Sequence, residues 1–288
     1  MSEYRRVLIP IDLTPGIQML APAVRRLIDI GDAEITLLHV VDAEPRRGRA
    51  GHTLRLMTEL ELFAHRQFRG VRISRRIEWG RPADCILNAI RTDSPDAVLL
   101  TGGRSSPGAD ALGPIAREVL AEASCPVLLE WAVSAPVNGV RTQPVCCALI
   151  LDGSDESVLT EAVWAAARIG APLKLVHALV PGGPNAAMPW DPQVRDRETA
   201  IARSRMAKLR DRYAPGAEVQ VDVGMAAAVI NRAIRFHRAG LLVTGGSRET
   251  LVAAESACPV LYLGHVRRSR AGRPVAVGQT GLAAWRCA

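Results

Sequence analysis

No apolar run in this chain approaches the roughly 20 residues needed to cross a bilayer as a helix, so a transmembrane helix is not expected. The opening MSEYRRVLIP has no signal-peptide core and no small-residue cleavage site, so a cytoplasmic protein is the expectation. The six cysteines (Cys85, Cys125, Cys146, Cys147, Cys258 and Cys287) form no C-x-x-C pair. They read as reduced, buried thiols, with Cys146 and Cys147 on opposite faces of one strand. Familiar catalytic motifs are absent too: there is no P-loop signature, no H-E-x-x-H and no Cys/His cluster. The nearest approaches to a G-x-S-x-G elbow, GRSSPG and GGSRE, lack the closing glycine. No metal site is expected. Disorder is not expected over most of the chain, because 48% of its 288 residues are hydrophobic. The segment after Leu263 has no acid at all. Its Arg267, Arg268, Arg270, Arg273 and Arg286 supply five of the seven net positive charges. Trp285 is its one aromatic. It reads as a solvated tail, with contact to nucleic acid or an anionic membrane surface as the alternative.

What the chain has is an internal repeat. RVLIPIDLTP opens one half and CALILDGSDE the other; LLTGG returns as LVTGG, and CPVLL as CPVLY. Matched by residue identity, Asp12 and Asp152 stand 140 apart, His39 and His177 138, Gly80 and Gly224 144, and Thr101 and Thr244 143. Cys125 and Cys258 stand only 133 apart, so the second copy is ten residues shorter between its TGG and its CPV. A period near 140 is that of a whole domain. The expected boundaries are a first domain over 1–131, a linker over 132–143, a second domain over 144–263 and a basic tail over 264–288.

Each half alternates short apolar runs with longer amphipathic ones. In the first, strands are expected at 6–11, 34–41, 71–79, 96–101 and 126–131, with helices at 16–30, 53–68, 82–92 and 113–123. In the second, strands are expected at 145–151, 172–180, 217–223, 241–245 and 259–263, with helices at 155–169, 193–213, 225–238 and near 249–256. Strands that alternate with crossover helices and are apolar throughout imply a parallel sheet covered on both faces.

In such a sheet, ligands sit beyond the carboxyl ends of the strands, where the strand order reverses. Asp12 directly follows the first strand and Gly102 and Gly103 the fourth. A carboxylate there can accept hydrogen bonds from a sugar or base. The run GGRSSPGADALGP, from Gly102 to Pro114, has four glycines, Arg104 and the hydroxyls of Ser105 and Ser106. A glycine-rich turn entering a helix can offer backbone N–H groups to phosphates, or it can simply turn the chain.

These segments together resemble the universal stress protein family in its tandem, two-domain form. The resemblance rests on VLIPIDLTP and LILDGSDES, ITLLHVV and LKLVHAL, WGRPADCIL, and DAVLLTGGRSS with LGPIAREVLAEASCPVLL. It covers about 4–131 and 144–263. It implies an α/β fold of two doubly wound domains of the adenine nucleotide alpha hydrolase type, each with a five-stranded parallel sheet in order 3-2-1-4-5. It also implies that the domains pair through their last strands. ATP-binding members of the family carry a G-x2-G-x9-G-(S/T) loop. Here that pattern falls on Leu100, Gly103, Gly113 and Pro114, so the middle and third glycines are kept while the first glycine and the closing hydroxyl are lost. Pro114 has neither N–H nor hydroxyl to give a phosphate. The resemblance places Asp12, Val40 and Val41 against the base and sugar, and Gly103 and Gly113 against the phosphates, of ATP with magnesium; Gly102 and Arg104 join the candidate set from the glycine-rich turn itself. In the second half Gly246 matches the middle glycine and the end of the loop is missing.

The expectation is therefore a non-enzymatic stress-response or regulatory protein acting through protein partners. It has at most one, degenerate, adenine-nucleotide site, in the first domain, and requires no cofactor. The alternatives are an ATP-binding switch with slow hydrolysis, for which no general base is evident, and an adaptor acting through the basic tail. His39 and His177 read as structural histidines, and the charged helix 193–213 as a solvated face. A monomer or weak dimer is expected.

Overall fold

The structure, a computed structural model, describes residues 4–13, 27–28, 33–42, 49–68, 70–102, 112–131, 143–181, 191–246 and 258–264. Most of the expected helix 16–30, the loop residues Gly103 and Arg104, nearly all of the linker, the helix near 249–256 and the tail lie outside the described residues.

Ten strands form one sheet: β1 (Arg6–Pro10), β2 (Glu34–Val41), β3 (Arg72–Trp79), β4 (Ala97–Gly102), β5 (Val127–Trp131), β6 (Val145–Leu149), β7 (Leu173–Leu179), β8 (Glu218–Val223), β9 (Leu241–Gly245) and β10 (Val260–Leu263). Their order is β3-β2-β1-β4-β5-β10-β9-β6-β7-β8. Each half is thus parallel in order 3-2-1-4-5, as expected. The halves meet in one antiparallel pair, β5 with β10, where Val127, Leu128 and Leu129 oppose Tyr262, Leu261 and Val260. Since that pair is antiparallel, the carboxyl ends of the two halves point to opposite edges of the sheet.

Among the described residues six helices cover the sheet: α1 (Arg49–Gln67), α2 (Pro82–Asp93), α3 (Pro114–Glu122), α4 (Asp155–Ile169), α5 (Pro192–Tyr213) and α6 (Ala226–His237). Successive strand residues point to opposite faces, and two cores result. Ile9, Leu37, Leu99, Cys147 and Val243 pack with Leu60 of α1, Leu159 of α4 and Met206 of α5. Leu8, Leu38, Val98, Cys146 and Leu242 pack with Ile86 of α2, Val119 of α3 and Ile230 of α6. Local chemistry sets the helix ends. In α4, Asp155 and Glu156 fill the first turn and Arg168 the last, and Gly170 closes it at φ 73°, a left-handed position that glycine takes at no steric cost. A second tie joins the halves: the Tyr4 hydroxyl, ahead of β1, donates to Glu161 Oε1 on α4 at 2.5 Å. The Tyr4 ring meets Trp164 edge-on, with centroids 4.8 Å apart.

Strand pairing corrects the repeat. Gly80 and Gly224 correspond: both have φ near 140° (141° and 148°), and their N–H groups donate to Val41 and Leu179. His39 and His177 correspond as well, each bonding through Nδ1 to the carbonyl 28 residues earlier, Ile11 and Leu149. Val7 pairs with Ala97 as Val145 pairs with Leu241. In this register the counterpart of Asp12 is Ile150, not Asp152, and the counterpart of Gly102 is Gly246. The identity match had slipped by two residues at one loop and by one at the other. Asp152 lies in a tight turn, between Leu151 at φ 65° and Gly153 at φ 92°. The interval between corresponding strands is 24 residues from Gly102 to Val127 but 13 from Gly246 to Val260, so the second copy is shorter by eleven rather than ten.

Candidate functional site

In the first half the strand order reverses between β1 and β4, which pair directly while β2 lies on the far side of β1. Asp12 emerges two residues beyond β1 with its side chain exposed. His39 fixes the backbone just before it: a carbonyl can only accept, so Nδ1 carries the proton in the 2.8 Å bond to Ile11 O. Val40 and Val41 end β2, both half-buried. They face opposite sides of the sheet: Val40 packs with the α2–α3 core, and Val41 is in register with Trp79, whose ring lies 5.9 Å from that of His52. Gly102 closes β4. Asp12, Val40, Val41 and Gly102 therefore gather at one edge of the sheet. Gly103 and Arg104 lie outside the described residues.

Gly113 is the N-cap of α3, with Pro114 in the first turn. Because α3 follows β4, its N-terminus opens at the same edge. Gly113 has φ −60° and ψ 162° and makes no side-chain cap. A Cβ placed on it would meet nothing within 4 Å. Neither backbone angle nor packing against the described residues demands glycine there, and the space beside it is open.

The second half's crevice is occupied by the protein itself. A Cβ on Gly246, at φ 88°, would sit 1.9 Å from Ile150 Cδ1. The hydroxyl of Tyr262 donates to Gly246 O at 2.7 Å. Asp152 is turned to local work: its Oδ1 accepts from Ser154 N at 2.8 Å and Ser154 Oγ at 2.6 Å. Those bonds hold its carboxyl below the ordinary range. Asp155, buried at the head of α4, accepts from the N–H groups of Ile150 and Leu151 at 2.8 and 3.1 Å and so fixes the turn that carries Ile150.

Sequence reasoning missed Ile150 and Tyr262, whose roles depend on strand register. It also passed over Glu130, buried one residue from the end of β5 and in register with Thr101; a carboxylate inside the apolar run VLLEW was the available signal. Among the described residues no group of three or more His, Cys, Asp or Glu is placed to hold a metal ion, and no helix is long and apolar enough to cross a membrane. A groove of about 610 Å³ lies between the end of α1 and the start of β3, lined by Ala64, Phe68 and Ile73 and rimmed by Glu61, His65 and Arg75. That is the opposite end of the strands from Asp12.

The sequence model of the universal stress protein family matches residues 3–129 and 143–280, two copies in tandem, the second running past Leu263. A comparison with curated proteins finds no match. Among solved structures, a universal stress protein from Archaeoglobus fulgidus DSM 4304 is similar at a TM-score of 0.66 and 18% identity, over 91% of this chain and 99% of that one. A functionally unknown protein from Pseudomonas aeruginosa PAO1 is similar at a TM-score of 0.61 and 18% identity, over 91% of this chain and 93% of that one. At such identities the likeness shows the fold.

Proposed function

Because this chain belongs to the universal stress protein family, we propose that it is a non-enzymatic stress-response or regulatory protein with one adenine-nucleotide site, in its amino-terminal half. The observation that carries this reading is the contrast between the two crevices. In the first, an exposed carboxylate and an open N-cap glycine face solvent at one edge of the sheet. In the second, isoleucine stands where that carboxylate would be, against Gly246, the glycine that follows the strand. An apolar side chain in van der Waals contact with the backbone leaves no room for a phosphate or ribose.

In this reading Asp12 accepts from the ribose hydroxyls, Val40 and Val41 border the base, and Gly102, Gly103, Arg104 and Gly113 face the phosphates. The fit is incomplete, since Pro114 offers no donor and Leu100 replaces a glycine. Weak binding follows. Magnesium would arrive on the phosphates rather than on a protein site. With no evident base to activate water, the nucleotide would act as a bound signal and a protein partner would read it.

Calorimetric titration of the whole chain with Mg-ATP, AMP serving as control, tests this. The expected result is saturable binding near one site per chain. Asp12→Ala and Gly113→Val each weaken it by about tenfold or more, a loss of about 1.4 kcal/mol. Asp152→Ala leaves it unchanged. Two equal sites, or equal loss from Asp152→Ala, would overturn the one-site reading. No binding at millimolar ligand would remove nucleotide from the proposal and leave a scaffold for partners.

A further inference from the structure

Helix α5 carries a surface that the nucleotide reading does not use. It runs 22 residues from Pro192 to Tyr213, about 33 Å at 1.5 Å per residue, and only Ala202 and Met206 along it are buried. Seven cations and three acids lie on it. The structure sorts them. A quarter turn from the buried pair, Val194, Arg197, Ile201, Arg205, Lys208 and Arg212 recur at intervals of three and four residues, which aligns them on one flank. All six are exposed.

Glu198, four residues after Val194 and three before Ile201, borders the row near its start and is half-buried; from Ile201 to Arg212 the row holds no acid, and Asp196 and Asp211 face elsewhere. Off the row, Arg195 and Arg210 are neutralised by Asp196 and Asp211, at 3.1 and 2.7 Å. On it, Arg197, Arg205 and Lys208 have no ion-pair partner among the described residues, and Arg212 lies 5.0 Å from the centre of the Tyr213 ring. Arg205, Lys208 and Arg212 are successive like charges at helical-neighbour spacing, which disfavours the helix. An acid at any of these positions would relieve that repulsion.

We propose that this flank of α5 binds the phosphate backbone of duplex nucleic acid without regard to sequence. A straight row of cations about 22 Å long, from Arg197 to Arg212, matches a linear polyanion. The row has no aromatic side chain on which unpaired bases would stack, and cations alone give contacts to the backbone that carry no sequence information. A bilayer fits less well. The apolar side of α5 is already committed to the core, and Val194 and Ile201, 45% and 38% exposed, are too little apolar surface for insertion.

Fluorescence anisotropy of a labelled 20-base-pair DNA duplex with the full chain tests this. Four phosphate contacts predict that log K falls with log salt at a slope of about −3 to −4, roughly a 100-fold loss between 50 and 200 mM. Replacing Arg197, Arg205, Lys208 and Arg212 by Gln, a comparable helix former, abolishes the binding. The pair Arg205→Gln with Lys208→Gln alone halves the slope, which keeps the test open should the fourfold variant fold poorly. Replacing Arg195, Arg203 and Arg210 by Gln, or the five arginines after Leu263, leaves at least half of the affinity. Absence of binding at 50 mM salt overturns the proposal, as does undiminished binding by the row variants. Co-flotation with phosphatidylserine vesicles in place of duplex binding overturns it in favour of a membrane surface.

Discussion

Several single residues in this fold are held in one protonation state by burial, and they set how stability responds to alkali. Burial, and then Glu161, hold the Tyr4 hydroxyl well above its ordinary pKa of 10. Burial pushes the thiols of Cys125 and Cys146 up to about 12. Each group is neutral when protonated, and each folded value lies above the unfolded one. Their contribution is therefore fully present below the unfolded values, near pH 9 for the thiols and 10 for Tyr4. It is lost as pH rises toward and through the folded values. Urea midpoints are expected to hold up to about pH 9 and fall steadily toward pH 12; a flat profile over that range would refute the account. Tyr4→Phe keeps the ring on Trp164 but loses the bond to Glu161. It should cost about 1–3 kcal/mol at pH 8 and flatten the profile above pH 10. The same burial keeps these thiols unreactive near neutrality.

At the scale of elements, the closed second crevice gives a double-mutant test. Gly246→Ala meets two penalties, a left-handed backbone angle and Ile150, and should destabilise by about 2–3 kcal/mol. Ile150→Ala removes one of them. In that background Gly246→Ala should cost only the backbone penalty, about 1–2 kcal/mol. Simple additivity would mean that Ile150 does not fill the space. Gly113→Ala, at an ordinary angle in open space, should cost little stability. These contrasts mark what the sequence revealed and what it did not. Strands EITLLHVV and LLVTG and helix 155–169 are where periodicity puts them, because alternation and 3.6-residue spacing are local properties. The other described elements differ by one or two residues at an end, except α1, which starts four residues before the expected 53. The pairing of Asp12 with Asp152 failed because identity was followed where backbone hydrogen bonding decides. The interval between first and second strands is the same in both halves, so the second aspartate simply stands two residues further along its loop. That Ile150 lies on Gly246 depends on how two strands splay, which no motif records.

For the whole molecule, the seam between β5 and β10 turns two folds into one. Each half alone would present its last strand as an open edge. Joined, they leave two edges, and both carry charge: Arg72, Arg75 and Arg76 on β3, Glu218 and Asp222 on β8. Charged edges resist further strand addition. The seam is short, but it is apolar. Leu128 and Leu261 are each at most 1% exposed and belong to a core cluster that holds residues of both halves, while the Tyr4–Glu161 bond braces the same face. The coupling should make the halves unfold together. Two single-tryptophan chains, one keeping Trp79 in the first half and the other Trp164 in the second, should show coincident urea transitions. Leu261→Asp places a carboxylate in the seam with no partner there, at a cost of several kcal/mol. It should separate the two midpoints, with the second half melting first because β10 is its own strand. Separate midpoints in the chains without that substitution would show that the seam only touches and does not couple. A nucleotide bound at Asp12 would then stabilise its own half alone, whereas with a coupled seam Mg-ATP raises the Trp164 midpoint along with the Trp79 one.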